Sequence, residues 1–250
     1  MKEGKIEMNV NESQVIGAND IIVSNVAVDT EKRLKITTRY SRENKRVYAF
    51  IKRFIDIIGG IVGVILLCPL TICIYIANKI ARDNGPIFYS QERIGKNGKK
   101  FKIYKYRSMV VDADERLEKY LLENREARTE WEENKKLKND PRITRVGNFI
   151  RKTSLDEFPQ FINVLKGDMS LVGPRPVIDG EIEKYEERKD EFLSVKPGCT
   201  GFWQANGRSD TTYDERMEME LYYVRNMSIK LDIKILFKTV GSVIKREGAI

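Results

Sequence analysis

The apolar residues of this chain are concentrated in one place. From Ile57 to Asn78 there is no charged residue and little polar character, while Lys52 and Arg53 stand before this run and Lys79 and Arg82 after it. Extended by Phe54 and Ile55, the run reaches the roughly 20 apolar residues that a helix needs to cross a bilayer. Orientation follows an excess of Lys and Arg on the cytoplasmic side, and here both flanks are basic, so the charges give no vote for crossing. Pro69, near the middle, removes one backbone hydrogen bond and clashes with the preceding turn, which predicts a kink. A helix broken at the proline that enters and leaves by one face meets both observations. An ordinary anchor helix that tolerates a proline is the alternative. A cleaved signal peptide is excluded by the position of the run, about fifty residues in, and by the lack of a small-residue cleavage pattern after it.

Outside this run the pattern is polar with short apolar punctuation. Residues 1–46 are mixed in charge and broken by two branched-apolar stretches, which predicts a leader or a partner-binding arm. Gly85-Pro86 marks a turn. Ile87-Phe88-Tyr89 and Phe101-Lys102-Ile103-Tyr104 then have strand character around Gly95-Lys96-Asn97-Gly98, which predicts a β-hairpin. Residues 113–138 form a charged helix with a sparse stripe at Leu117, Tyr120, Leu121 and Trp131, suited to a solvated arm or lid. Leu221, Val224, Leu231, Ile235 and Leu236 recur at helical spacing among Lys and Arg. They suit amphipathic helices on a membrane surface or, as is more common, helices facing a core.

Composition narrows the chemistry. About a third of the 250 residues are charged, with 45 Lys and Arg against 37 Asp and Glu, so beyond the apolar run the chain is one soluble domain of ordinary size. The net charge of +8 suits an anionic leaflet, a phosphorylated substrate or nucleic acid. Cys68, Cys73 and Cys199 form no CxxC pair, and two of them lie in the apolar run, so neither a disulfide framework nor a thiolate metal site is indicated. The chain has no histidine, which excludes a Ser-His-Asp triad and histidine metal ligands. Acid-base or metal chemistry must lean on carboxylates, with Lys, Arg and Tyr in support.

The candidate chemistry lies between Arg151 and Arg208. Asp156 and Glu157 precede Pro159, which fits a first helical turn and disfavours helix at Phe158. Capping by Asp156 or Ser154 is the plain explanation of such a pair. Arg142, Arg145, Arg151 and Lys152 lie nearby in sequence, and two acids among cations are also what a magnesium-phosphate site requires. In Gly173-Pro174-Arg175-Pro176 two prolines hold the backbone around one arginine. That suits a guanidinium that must meet a phosphate, or simply a rigid surface turn. Lys196-Pro197-Gly198-Cys199-Thr200-Gly201 and Asn206-Gly207-Arg208 supply Gly-rich turns whose amides suit an anion, although most such turns are only turns.

Taken in order, these segments resemble the bacterial sugar transferase family, the monotopic phosphoglycosyl transferases. The resemblance is carried by Lys52-Arg53-Phe54-Ile55-Asp56, the proline-broken apolar run, Phe101-Lys102-Ile103-Tyr104-Lys105, Thr153 to Pro159, Asn163-Val164-Leu165-Lys166-Gly167-Asp168-Met169-Ser170, Gly173-Pro174-Arg175-Pro176, Lys196-Pro197-Gly198 and Asn206-Gly207-Arg208. It runs from about Tyr48 to Gly248.

The resemblance implies an α+β, mostly helical monotopic membrane protein. Its parts are a polar leader (1–46), a re-entrant membrane helix (47–82) and a cytosolic catalytic domain (83–250) with a small hairpin and surface amphipathic helices, on the inner membrane of a bacterium. The implied reaction moves a sugar 1-phosphate from a UDP-sugar to undecaprenyl phosphate and releases UMP, as a first membrane step of exopolysaccharide, capsule or O-antigen synthesis. Asp156 is the implied nucleophile, forming an aspartyl phosphosugar. Glu157 supports it, and the pair holds Mg2+, with Mn2+ as the alternative ion. Arg175 and Arg208, joined by Lys105 and Arg107, are the implied phosphate or nucleotide contacts. The charged segment 113–138, followed by Asp140-Pro141-Arg142-Ile143-Thr144, is similar to members that transfer galactose or glucose phosphate.

Two features depart from the family pattern. Where the family usually has Asp before its Tyr-Tyr pair, this chain has Glu220, still carried among the substrate-binding residues. The several transmembrane helices that precede many larger members are replaced by a polar leader, so the chain reads as a minimal catalytic unit working with a partner. Membrane lipids are expected partners, and a homodimer or polysaccharide-assembly partners are left open. The alternative function is a catalytically weak membrane-bound partner or regulator of the same pathway. Nucleic acid is set aside, because the charge comes without helix-turn-helix, RNP or zinc signatures.

Overall fold

A computed structural model describes residues 42–134, 136–207 and 211–245 of the chain; the leader up to residue 41 and Arg208 lie outside the described residues. The first element is a single helix, α1 (Arg42–Ile80), which contains Pro69 and begins five residues before the expected start of the membrane segment. The helix is one continuous element across the proline. Near Pro69 the Leu67 carbonyl receives the Thr71 hydroxyl at 2.7 Å and the Tyr106 hydroxyl at 3.3 Å, which ties this part of the helix to the hairpin.

One face of α1 packs on the rest of the domain for most of its length. Gly59, Gly60 and Gly63 leave room for Leu171, Leu165 and Phe161. Further along, Leu67 and Ile74 share a core with Tyr106 and Ile150, flanked by Leu70, Ile87, Val146 and Phe158. The other face leaves Phe50, Phe54, Ile58, Val62, Ile65, Leu66, Ile72 and Ile76 exposed. The basic pair before the apolar run turns inward: the Arg53 fork donates to the carbonyls of Val164 (2.7 Å) and Leu165 (2.9 Å), and Lys52 donates to Val172 O at 2.9 Å. Asp56, buried between them, accepts from Ser170 Oγ (2.9 Å) and the Leu171 amide (2.8 Å). Charges that read as membrane flanks in the sequence thus serve as fasteners between helix and domain.

The hairpin forms as expected. Strands β1 (Phe88–Ile94) and β2 (Lys100–Tyr106) pair antiparallel with Phe88 opposite Tyr106 and Ile94 opposite Lys100. The charged arm is two helices, α2 (Ala113–Glu123) and α3 (Arg125–Asn134), where the sequence suggested one. Asn124 takes an extended conformation and its side chain accepts the Ala127 amide at 3.0 Å, which ends one helix and caps the next. Trp131 lies under the Arg142 guanidinium, 5.0 Å from ring centre to Cζ.

Helix α4 (Arg145–Lys152) starts on a Thr144 cap, and a 3-10 turn (Leu155–Glu157) leads into α5 (Gln160–Lys166). Two strands were not legible in the sequence: β3 (Ser170–Val172) pairs parallel with β4 (Gly198–Thr200). Gly198 was read as part of a turn. A Cβ there would lie 2.1 Å from the Gly173 nitrogen, so the backbones can approach only with glycine at this position.

The remaining helices are α6 (Asp179–Ile182), α7 (Lys189–Leu193) after a 3-10 stretch (Glu183–Arg188), α8 (Phe202–Asn206), α9 (Tyr213–Asn226) and α10 (Ile229–Lys245). Ile94, Val177, Ile182, Tyr185, Phe192, Leu193, Met217 and Leu221 form a second core. Leu221 and Ile235 are buried, so the stripe offered as a membrane surface faces inward. Among the described residues of α10, Ile233, Phe237 and Val240 are exposed.

Candidate functional site

The hairpin, the 3-10 turn, the loop after β3, and β4 converge on a small open cleft. It is lined by Arg93 from β1, Ile103 and Lys105 from β2, Glu157 and Gln160 from the turn and α5, Arg175 and Pro176, Gly198 and Cys199, and Gln204 from α8. Three of these side chains are cationic and one is acidic. Lys105 Nζ donates to Glu157 Oε1 at 2.7 Å. Arg93 donates to Gln91 Oε1 at 2.7 Å and to the Pro176 carbonyl at 3.4 Å. The Nε atoms of Arg93 and Arg175 are buried without a hydrogen-bond partner. Burial and the neighbouring Arg175 guanidinium both lower the Arg93 pKa, as expected where two cations share a small volume. Such a cleft favours an anion with several oxygens, because guanidinium groups match phosphate geometry and an anion relieves their mutual repulsion.

The acids reach this position by local geometry. Ser154 adopts a left-handed conformation (φ 55°), which turns the chain out of α4 and into the 3-10 turn. Phe158 is helical despite preceding Pro159, against the usual preference, because the turn runs straight into α5 and Phe158 packs edge-on against Phe161. Neither the turn nor α5 is capped by a side chain, so capping does not account for the pair.

Burial and the adjacent Glu157 raise the Asp156 carboxyl to about 6, against the pull of Lys105 and Arg151. Burial also pushes on Glu157, but Lys105, Arg175 and a hydrogen bond from Gln160 outweigh it and hold its carboxyl below the usual value. Two adjacent carboxyls therefore have their affinities for a proton driven apart, a pattern common at functional sites.

The residues named from the sequence fall in three places. Lys105, Glu157 and Arg175 line the cleft; Asp156 shares the turn with Glu157, half-buried, without being among the lining residues. Arg107 does not join them. Its guanidinium is spent on Asp83 (2.8 Å) and on the carbonyls of Pro86 (2.6 Å) and Met109 (2.6 Å), which makes it a clamp beneath the hairpin. Glu220 is fully buried behind Arg175 and does not line the cleft. Arg208 lies outside the described residues.

Arg93 was missed by sequence reasoning. In the hairpin register, positions 91, 93, 101, 103 and 105 share one face, so Lys105 carried a signal for Arg93 once the pairing of the strands was known.

Among the described residues no three acidic or cysteine side chains cluster as a metal cage. The Asp156-Glu157 pair fits an ion such as Mg2+, which is commonly held by one or two carboxylates together with water and substrate phosphates.

A cationic cleft that holds Glu157 beside Asp156, on a domain fastened to a long apolar helix, suits an anionic ligand such as a phosphate. The family model for bacterial sugar transferases matches residues 47–246, and the chain belongs to that family. It is 52% identical over 205 residues to the undecaprenyl-phosphate galactose phosphotransferase of Salmonella typhimurium, covering 82% of this chain and 43% of that protein. It is 41% identical over 202 residues to the UDP-glucose:undecaprenyl-phosphate glucose-1-phosphate transferase of Escherichia coli, covering 78% of this chain and 40% of that one. It is also 42% identical over 198 residues to the exopolysaccharide production protein ExoY of Rhizobium meliloti, covering 79% and 87%. The chain thus spans less than half the length of the first two relatives and most of the third.

Proposed function

We propose that this protein is a phosphoglycosyl transferase that moves a sugar 1-phosphate from a UDP-sugar to undecaprenyl phosphate and releases UMP. The observation that carries this proposal is the cleft in which Arg93, Lys105 and Arg175 surround Glu157 beside Asp156, in a chain of this family. The arginines and Lys105 hold the donor diphosphate. An Asp156 carboxylate oxygen attacks the phosphorus that bears the sugar; the bond from that phosphorus to the bridging oxygen breaks, and UMP leaves. An oxygen of the lipid phosphate then attacks the same phosphorus, and the aspartyl bond breaks to regenerate Asp156. Covalent catalysis of this kind divides one exchange into two easier steps. Glu157, ionised and steered by Lys105, orients the phosphate, and with Asp156 it would hold a metal ion. Bound Mg2+ offsets the repulsion between an anionic nucleophile and a diphosphate.

A lipid acceptor requires a bilayer, and the proposed site of the reaction is the cytosolic face of a bacterial inner membrane. In support, α1 is held against the domain from Tyr48 to Ile74 while its opposite face is apolar and exposed. A perpendicular span would carry those packed domain residues into the hydrocarbon, whereas a helix that dips in and returns, or lies in one leaflet, keeps them in place. The donor is a UDP-hexose, with galactose first in order because the Salmonella typhimurium relative is a galactose phosphotransferase.

The test is UMP release by purified protein with Mg2+ and undecaprenyl phosphate across a panel of UDP-sugars, with Asp156→Asn beside it. Release with one sugar, lost in the variant, is the expected result. Release that persists in Asp156→Asn overturns the assignment of the nucleophile, and silence across the panel favours the non-catalytic partner of the same pathway.

A further inference from the structure

Arg175 enters the cleft from a segment restrained on every side. Pro174 and Pro176 fix the backbone before and after it. The Pro174 carbonyl accepts the Gly198 amide at 2.8 Å and the Pro176 carbonyl accepts from Arg93 at 3.4 Å. Its own N–H is directed to Glu220. Both oxygens of the Glu220 carboxylate lie within hydrogen-bond distance of that amide, at 3.1 and 3.2 Å.

Glu220 is wholly buried on α9, and no atom of it lines the cleft. Facing it are the Arg175 amide and guanidinium from the loop after β3, Arg216 one turn back on α9, and Tyr185 from the 3-10 stretch Glu183–Arg188. A buried carboxylate that accepts one shared amide is poorly repaid for its lost hydration. The Arg175 amide is the hydrogen-bond donor that the structure gives it, which ties the buried carboxylate to the backbone of a cleft residue.

We propose that Glu220 is a positioning residue for the donor phosphate: it holds the backbone amide of Arg175 and so aims the guanidinium into the cleft, acting on substrate through Arg175 without touching it. This rests on the transferase function proposed above. It also moves Glu220 from the substrate contacts, where the sequence placed it, to the support behind one of them.

Two measurements on the full chain in detergent or nanodiscs test the proposal. Because prolines carry no N–H, Arg175 has the one exchangeable backbone amide between Gly173 and Val177, and hydrogen exchange there reads this hydrogen bond alone. Glu220→Ala speeds that exchange by about tenfold or more, while Glu220→Gln, which keeps a carbonyl acceptor, retains most of the protection. The second measurement is a double-mutant cycle on UDP affinity. Glu220→Ala weakens UDP binding about tenfold in the native background and adds nothing once Arg175→Ala is present. Should Glu220→Ala not fold, Glu220→Gln carries the same cycle with a smaller effect.

Unchanged exchange at Arg175 in Glu220→Ala overturns the proposal. So do losses of affinity that add in the double variant, since a direct contact or a general loss of structure does not depend on Arg175. A native protein that binds no UDP and transfers no sugar phosphate counts against the transferase function alone, because the exchange measurement still decides whether Glu220 holds the loop.

Discussion

Lys52 Nζ stands 2.8 Å from Asp232 Oδ2, joining the start of α1 to the start of α10 across 180 residues of sequence. The same carboxylate accepts the Tyr48 hydroxyl at 3.0 Å and the Tyr223 hydroxyl at 2.7 Å, and its side chain is 5% exposed. Removing one member of a buried pair leaves an unpaired charge, at a cost of about 3–5 kcal/mol. Lys52→Met and Asp232→Ala are therefore each expected to lower thermal stability in detergent strongly. The double change Lys52→Met with Asp232→Leu recovers part of the loss, because no orphaned charge remains. Single variants as stable as the native protein would dissolve this account of how the apolar helix is fastened.

Packing of α1 on α5 makes a contrast between two glycines. A Cβ added at Gly63 would lie 2.2 Å from the Phe161 ring, whereas one added at Gly241, inside α10, meets nothing within 4 Å. Gly63→Ala must push helix and ring apart and is expected to destabilise by about 1–3 kcal/mol. Gly241→Ala relieves the backbone entropy cost of glycine in a helix and is expected to stabilise by about 0.5–1 kcal/mol. Paired melting curves check both signs, and equal shifts in the same direction would show that α1 is not seated on Phe161.

Arg93 offers a test of the cleft that does not depend on the acidic pair. With its Nε buried without a partner and the Arg175 guanidinium nearby, it is placed to hold the donor. Loss of one charge-assisted hydrogen bond is worth about 1.5–3 kcal/mol, so Arg93→Ala is expected to raise the KM for the UDP-sugar by about ten- to a hundredfold. Arg107→Ala gives the opposite split: its guanidinium meets Asp83 and two carbonyls, so it should lower stability and leave the KM of the surviving folded enzyme near the native value. Steady-state kinetics with stability measured in parallel separates the two arginines.

What the sequence revealed, and what it hid, follows from the range of the interactions. The hairpin was legible because period-two alternation and a glycine turn are local signals. Glu157 and Arg175, which the fold brings into the cleft, could be singled out because the motifs around them are contiguous. Strands β3 and β4 were hidden, since three residues are too few to show a period and their partners are 28 positions apart, as Ser170 and Gly198 are. The fastening role of Lys52 and Arg53 was hidden because their partners, Asp232 and the carbonyls of Val164 and Leu165, are distant in sequence. The contacts of Arg107 with Asp83, Pro86 and Met109 were hidden for the same reason: a motif gives a residue's neighbours in the chain and not the atoms its side chain reaches.

Glu220 predicts a dependence of stability on pH. Burial pushes its carboxyl from 4.5 to about 7, although the Arg175 amide and the guanidinium groups of Arg216 and Arg175 pull the other way. A carboxyl with a higher value in the folded state binds its proton more tightly there than in the unfolded chain. The stabilisation is thus fully present below about 4.5 and is lost as pH rises through about 7. The span corresponds to a loss on the order of 3 kcal/mol between those limits. Asp156, raised to about 6 by burial and Glu157, adds a loss of the same sign over part of the window, while the depressed Asp83 and Asp140 act at lower pH. The native curve alone therefore does not isolate Glu220, but its difference from Glu220→Gln does. The expected result is that the variant gains relative stability steadily from pH 5 to 8, as read by chemical denaturation at closely spaced pH. A difference that stays flat across the window would mean that the Glu220 carboxyl titrates where an ordinary glutamate does, and that its burial is relieved by contacts beyond the Arg175 amide.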